Sequence, residues 1–438
     1  MAVSSSSFPR AVIAAVTLIH FSCALDSASF QVTNNVLQQL PISPRFVGFS
    51  IEVGSTPSVL GVGGLSGPPR ASFGRLMNLL RANGTRGPNL RIGGNSADES
   101  AYVPDTANPL PANSTYRITD ADLMLLASSL ATFNGTAVID VTMRYGDNAS
   151  LSVAHAAAAG RILGWDAIEG VEVGNEVDLF HENGIRKPTY SYADYRQEFG
   201  VYRTSLASVI PTPRIQGATW CSSNFVPDWS DYVATYAPSL SSLSYHRYGV
   251  SGCGTSVPTI TALLNDSSSA HIGDFLAPLA KTAAASRIPF YVGEGNSASC
   301  GGKTGVSDVF AAALWAVDVL FNAAAAGAQR WNFHGGPRGP YAPLVYADAS
   351  VDTVEVRPLF YALWAFSNVT ANDAVLHVIR TNANSNNYIK AWSCKDSLGF
   401  TRVVIVHKDP TASGNATITI EPPSRLNGIA QLTRLTAG

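Results

Sequence analysis

A chain of 438 residues, 46% hydrophobic and only 14% charged, is long and apolar enough to bury a large core, which excludes a disordered protein. Its formal net charge of -2, with no long run of one sign, excludes general attraction to nucleic acid or to an anionic membrane surface.

At the N-terminus, Arg10 precedes an apolar stretch from 11 to about 21 and the small residues Ser22-Cys23-Ala24. That is the order of a secretory leader, and the stretch is shorter than the roughly 20 residues that span a bilayer. Residues 1–24 are therefore expected to be removed as a signal peptide, leaving a secreted protein without stable membrane insertion. Residues 25–44 form an N-terminal segment in which Ser29-Phe30-Gln31-Val32 is a candidate strand for a β-domain further along. Asn-X-Ser/Thr sequons at Asn83, Asn113, Asn134, Asn148, Asn265, Asn368 and Asn415 fit an extracellular glycoprotein.

Strand-like runs then recur at 45–52, 89–93, 137–145, 168–176, 214–219, 243–248, 289–294 and 330–334. Helix-like segments at 73–82, 120–131, 152–162, 190–209, 259–285 and 306–326 separate them, several with apolar residues at helical spacing. Thr119-Asp120-Ala121-Asp122 and Ser307-Asp308 read as helix caps. Eight alternating units predict an α/β protein with a (β/α)8 TIM barrel over 45–344. From 345 to 438 the texture changes to short alternating strands, at 374–380, 388–393, 401–408 and 416–421, separated by polar clusters. This predicts a C-terminal antiparallel, β-sandwich-like domain.

With Cys23 in the leader, Cys221, Cys253, Cys300 and Cys394 remain, an even number in an oxidising compartment. Cys253 and Cys300 each lie a few residues beyond adjacent expected strands and are the expected disulfide. The competing reading is four free, mostly buried thiols. Nothing resembles a metal or cofactor motif: there is no Cys-X-X-Cys or His-X-X-X-His pair, and the glycine-rich stretch from Gly61 to Gly67 lacks the last glycine and acidic partner of a dinucleotide loop.

Two runs carry chemistry. Val171-Glu172-Val173-Gly174-Asn175-Glu176 and Pro289-Phe290-Tyr291-Val292-Gly293-Glu294 each read as a buried parallel strand delivering a carboxylate to its C-terminal end, where barrel enzymes keep their active sites. Strands four and seven face each other across a barrel mouth. Two carboxylates brought together there can cleave a glycosidic bond, one as nucleophile and one as proton donor. Either glutamate alone reads more readily as a solvated strand end, and the presence of both at matching strand ends after apolar runs reverses that.

These motifs, with Gly48-Phe49-Ser50-Ile51-Glu52, Leu90-Arg91-Ile92-Gly93-Gly94-Asn95, Gly293-Glu294-Gly295-Asn296-Ser297 running on through Cys300-Gly301-Gly302, and Trp331-Asn332-Phe333-His334-Gly335-Gly336, resemble glycoside hydrolase family 79, the β-glucuronidases and heparanase-like enzymes. The resemblance spans nearly the whole chain after the leader. It implies Glu176 as general acid/base, Glu294 as nucleophile, Asn175 on the sugar 2-hydroxyl and Arg91 as the charge that keeps the nucleophile ionised. It places a ring beside the nucleophile at the end of strand six, where Tyr245, His246 and Tyr248 all qualify. It also implies a cradle for a glucuronate carboxylate built from the Gly301-Gly302 backbone and Tyr341. Glu52 and His334 complete the candidate sugar-binding set. Ser299-Cys300 stands where some glucuronidases carry a tyrosine, and the terminal domain, ending at Gly438, is shorter than the resemblance leads one to expect.

The function expected from sequence is a secreted retaining β-glucuronidase that removes terminal glucuronic acid from glycans or glucuronides, with a carbohydrate as its partner and no cofactor or metal. The alternatives are a retaining β-glycosidase acting on a neutral sugar, or within a polymer, and a non-catalytic carbohydrate-binding protein.

Overall fold

A computed structural model describes residues 11–16, 26–38, 40–82, 85–382, 388–411, 416–423 and 430–436. Asn83, Asn415, Cys23 and the expected leader, apart from 11–16, lie outside those residues.

Eight parallel strands close into a barrel: β1 (Val47–Glu52), β2 (Asn89–Gly93), β3 (Thr136–Val141), β4 (Ile168–Val173), β5 (Ile215–Trp220), β6 (Leu240–His246), β7 (Phe290–Gly295) and β8 (Arg330–His334). Each pairs with its sequence neighbour, and β8 closes on β1 through Trp331 opposite Val47 and Phe333 opposite Phe49. The strands are apolar runs because helices cover the outside and side chains fill the inside, so both faces are buried. Helix Asp120–Phe133 opens with the expected capping box between Thr119 and Asp122. The second expected cap fails, since helix Phe310–Ala325 starts later than Ser307-Asp308. Those side chains instead fold the loop before it, Ser307 Oγ accepting from Lys303 N and Asp308 Oδ1 from Gly305 N. The long helix expected over 259–285 is broken into Ile260–Leu264 and Ala270–Ala285, because Asn265 turns its side chain onto Ser267 N and ends the first piece.

A second, seven-stranded sheet lies against the barrel, in the order Ala416–Glu421, Asp26–Val36, Val375–Thr381, Ile389–Lys395, Thr401–His407, Ala11–Val16, Ala430–Leu435. It is mixed rather than wholly antiparallel: its central pairs are antiparallel, whereas Ala416–Glu421 runs parallel to Asp26–Val36 and Ala11–Val16 runs parallel to both its neighbours. Part of the stretch read as a leader thus forms a strand here. Asp26–Val36 extends the candidate strand around Phe30 at both ends, and Thr33 Oγ1 donates to Val378 O across 345 positions of sequence. Ala28, Phe30, Val32, Ile389, Val403 and Ile405 form a small core of their own on the sheet.

Sequence reading did not foresee helix Pro358–Val369, placed where only strands were expected. It fills the angle between sheet and barrel, with Phe366 against Phe46 and Phe321. Polar contacts tie the two bodies as well. Lys408 of the sheet is buried, and its Nζ donates to Asp318 Oδ2 at 2.5 Å, Ser269 Oγ at 3.0 Å and Asp266 Oδ1 at 3.1 Å; Trp392 Nε1 donates to Asp318 Oδ1. Among the described residues, no helix is long and apolar enough to cross a membrane.

Candidate active site

A charge inside a strand buried on both faces survives only with partners. Arg91 in β2 is fully buried, and each guanidinium nitrogen is used. Nε donates to Glu172 Oε2 at 2.5 Å, Nη1 to Glu294 Oε2 at 2.5 Å, and Nη2 to Asp140 Oδ2 at 3.0 Å and Asn175 Oδ1 at 2.9 Å. Glu172 also accepts from Gln216 Nε2 at 2.6 Å, and Gln216 from Ser242 Oγ at 2.9 Å, so the network runs from β2 through β3, β4 and β5 to β6. Burial raises the Asp140 carboxyl far above its ordinary value despite Arg91, and among the described residues its Oδ1 has no hydrogen-bond partner.

Glu294 lies at the C-terminal end of β7, opposite this arginine. Its Oε1 accepts from the Tyr248 hydroxyl at 2.7 Å; its Oε2 is 3.3 Å from His334 Nδ1 and 3.4 Å from Ser50 Oγ. Burial works against the carboxylate, but His334, His246, Arg91 and the Tyr248 hydroxyl outweigh it and hold Glu294 ionised, well below the usual carboxylate range. His334 sits between two acids, with Nε2 3.5 Å from Glu52 Oε1. Burial lowers its pKa, yet Glu294 and Glu52 together raise it above the ordinary histidine value.

Glu176 follows β4 after Gly174 and Asn175, with φ of +51°, a left-handed conformation unusual for a residue with a side chain. Its amide donates to Thr219 O at 3.0 Å, and Gly174 N to Val141 O at 2.9 Å, so both neighbouring strands hold the turn. Glu176 Oε1 lies 3.0 Å from His246 Nδ1. One oxygen of Glu176, one of Glu294 and a ring nitrogen of His246 lie within 4.8 Å of one another.

The pair faces a cavity of about 790 Å³ lined by Glu52, Asn95, Leu179, Cys221, His246, Tyr248, Gly301, His334 and Tyr341, among others. Glu52 Oε2 accepts from Ser96 N at 2.9 Å. Burial raises the Glu52 carboxyl, but His334 brings it below its ordinary value. Tyr341 sets its ring edge-on to His334 and nearly parallel to Tyr248. Among the described residues, neither its hydroxyl nor the Gly301 amide has a hydrogen-bond partner. Gly302, at φ +79°, lets the loop close on Tyr341: a Cβ there would lie 3.0 Å from Tyr341 N.

One expected site residue needs correction. Tyr245 is not at the site: adjacent strand residues point to opposite faces, so with His246 turned into the mouth, Tyr245 is buried on the outside against Trp229 and Phe275, its hydroxyl donating to Ser222 O. The expected disulfide is present, Cys253 and Cys300 being joined with Cα atoms 5.3 Å apart, so the competing reading of four free thiols falls; Cys221 and Cys394 are free. Asn175 is near the pair but largely enclosed, its Nδ2 donating to Asn95 Oδ1 at 2.9 Å and its amide to Asp98 Oδ2. Burial pushes Asp98 up to about 6. Sequence reading missed Asp140, Glu172 and Gln216 beneath the site, although an acid inside each of the runs Val138-Ile139-Asp140-Val141 and Val171-Glu172-Val173 was a visible signal. It also missed Cys221, whose thiol is pushed well above its ordinary value by burial and then by Glu176 and Asp178. The sequon asparagines Asn113, Asn134, Asn148, Asn265 and Asn368 are exposed.

A closed eight-strand barrel with two glutamates at the ends of β4 and β7 is the architecture of (β/α)8 glycoside hydrolases. A 4-O-α-L-rhamnosyl-β-D-glucuronidase from Fusarium oxysporum superposes with a TM-score of 0.70 at 18% identity, over 88% of this chain and 82% of that one. A family 51 arabinofuranosidase from Xanthomonas axonopodis gives 0.65 at 14% identity, over 92% and 88%. These likenesses establish the fold. In sequence, the chain is similar to two proteins named β-glucuronidase, from Aspergillus niger (28% identity over 74% of this chain) and Neurospora crassa (24% over 88%). It spans 64% of the length of the first and 76% of the second. No family model matches it.

Proposed function

We propose that this protein is a retaining glycoside hydrolase and, among these, a secreted β-glucuronidase of the family 79 type. The observation that carries the reading is the approach of Glu176 and Glu294 to within 4.8 Å, oxygen to oxygen. Retaining enzymes keep their carboxyl groups about 5–5.5 Å apart, whereas inverting enzymes leave about 6.5–9.5 Å for a water. Glu294, ionised by its surroundings, attacks the anomeric carbon. Glu176 protonates the departing oxygen and then takes the proton of the water that releases the sugar. Tyr248 holds the nucleophile's second oxygen, and Arg91 and His334 fix the first. Asn175 Nδ2 carries two protons; one goes to Asn95 and the other is available to the sugar 2-hydroxyl.

Glucuronate specificity is supported by the names of the two sequence relatives and by the unpartnered Gly301 amide and Tyr341 hydroxyl, two donors suited to a carboxylate. The exposed sequons and the disulfide support an extracellular location. A neutral sugar is the second reading. It is favoured by Glu52, Glu176 and Glu294 together, three acids against which an anionic sugar must be held.

The test is hydrolysis of 4-nitrophenyl β-glucuronide beside the matching glucoside, galactoside and xyloside, with the anomer of the first product read by NMR. Glucuronide turnover giving the β-anomer first supports the whole proposal. Turnover of a neutral sugar keeps the mechanism and removes the carboxylate cradle, and an α-anomer first product removes the retaining mechanism.

A further inference from the structure

The disulfide lies at the catalytic cavity. Beyond the barrel rim, the chain after β6 and the chain after β7 stay paired: Arg247 N donates to Glu294 O, Gly249 N to Asn296 O and Val250 N to Ser297 O, all at 2.9 Å, and Ser299 N to Val250 O at 3.1 Å. This two-stranded extension carries Tyr248 on one side and leads to Gly301 on the other. Cys253 and Cys300 join its far end, and both line the cavity. Ser299 Oγ adds to the junction, accepting from Gly252 N at 3.2 Å and lying 3.1 Å from Cys253 Sγ.

Beyond the cross-link the two loops are held by bonds within each loop, Ser256 N to Cys253 O in one and Gly302 N to Ser299 O and Ser307 N to Lys303 O in the other. Residues 253–257 and 303–305 are exposed. Cys300, Gly301 and Gly302 follow one another at φ +54°, +91° and +79°, a left-handed run that two glycines leave free to take other conformations. A cross-link between the two loops removes those alternatives.

We propose that the Cys253–Cys300 disulfide is a positioning device for the sugar, holding the Gly301 amide opposite Tyr341 so that the glycon side of the cavity is formed before substrate arrives. The inference rests on the glycosidase reading of the site. Arg91 and His334 hold Glu294 Oε2 from the barrel. Tyr248, which holds Oε1, sits at the root of the extension, where the bonds from Arg247 N to Glu294 O and Gly249 N to Asn296 O remain without the cross-link. Loss of the disulfide at the far end therefore acts on substrate capture and leaves the chemical step.

The experiment compares wild type, the Cys253→Ser/Cys300→Ser double variant and wild type treated with dithiothreitol. The dithiol is oxidised to its cyclic disulfide as its two electrons and two protons pass to the cysteines, and mass spectrometry confirms the two thiols. Cys221 and Cys394 are already reduced and do not change. On whichever glycoside the wild type cleaves, KM is expected to rise about tenfold with kcat within about twofold, and reoxidation of the treated enzyme to restore KM. Hydrogen exchange of the amides at 299–305 is expected to quicken while β7 and β8 stay protected. Unchanged KM in an enzyme shown to lack the disulfide overturns the proposal, as does a fall in kcat at constant KM. If the wild type cleaves no glycoside, the functional reading fails, and hydrogen exchange decides this one alone: unaltered exchange at 299–305 refutes it.

Discussion

Arg91 Nη1 and Glu294 Oε2 meet at 2.5 Å across the barrel, 203 positions apart in sequence, and the same guanidinium holds Asp140 and Glu172. One positive charge therefore organises three buried acids. Arg91→Met leaves Asp140 and Glu172 without a cation in a dry interior and Glu294 with His334 and Tyr248 alone, and breaking a buried ion network from one side costs about 3–5 kcal/mol. Urea unfolding is expected to show a loss of that size. Arg91→Lys keeps the charge but cannot fork to three carboxylates, so recovery of full stability by lysine would contradict the geometric account.

Tyr248→Phe removes one hydrogen bond from the charged form of Glu294. The depressed Glu294 pKa then rises, so the acid limb of the rate profile moves to higher pH. kcat is expected to fall about ten- to hundredfold, the worth of a hydrogen bond to a charged group. Steady-state rates from pH 3 to neutrality read both effects.

Glu176→Gln removes the proton donor, so the loss tracks the leaving group. A 4-nitrophenyl glycoside needs little protonation and is expected to lose much less than an alkyl glycoside, for which the loss is about 10²- to 10⁴-fold. Equal losses on both would place the proton donor elsewhere.

His334 titrates with a raised pKa between Glu294 and Glu52. Its contribution to stability is complete below the unfolded histidine value of about 6.5 and is lost as pH rises through the higher folded value. The denaturant midpoint of the wild type is expected to fall above neutrality, and His334→Gln to lack that part of the fall.

Lys408→Met leaves Asp318 buried beside Ser269 and Trp392 with its cation gone. A loss of about 3 kcal/mol is expected, with activity per folded molecule unchanged. Adding Asp318→Leu is expected to recover much of it, which thermal unfolding of the single and double variants measures.

The barrel was readable in the sequence because parallel strands buried on both faces are continuous apolar runs. The runs at 89–93 and 330–334 match β2 and β8 residue for residue. Boundaries slip where the motif outruns the ladder: residues 174–176 were read as strand, yet Gly174 and Glu176 have positive φ and form the turn that aims the carboxylate. The two glutamates were visible for the same reason, as polar residues ending apolar runs. What organises them was not, because Asp140, Glu172 and Gln216 acquire their meaning only from a guanidinium on another strand. Helix Pro358–Val369 escaped because its apolar residues satisfy barrel, sheet and neighbouring helix together, which blurs the one-sided pattern of a surface helix.

Strand Asp26–Val36 finds its antiparallel partner in Val375–Thr381, and Thr33 reaches Val378 over 345 positions. During synthesis at about 5–20 residues per second, the early strand waits on the order of 20–70 s before that partner leaves the ribosome. For that interval Phe30 and Val32, buried in the finished protein, lack their partners in the second sheet, so the newborn chain depends on whatever shields an open strand edge until the residues beyond the barrel have emerged.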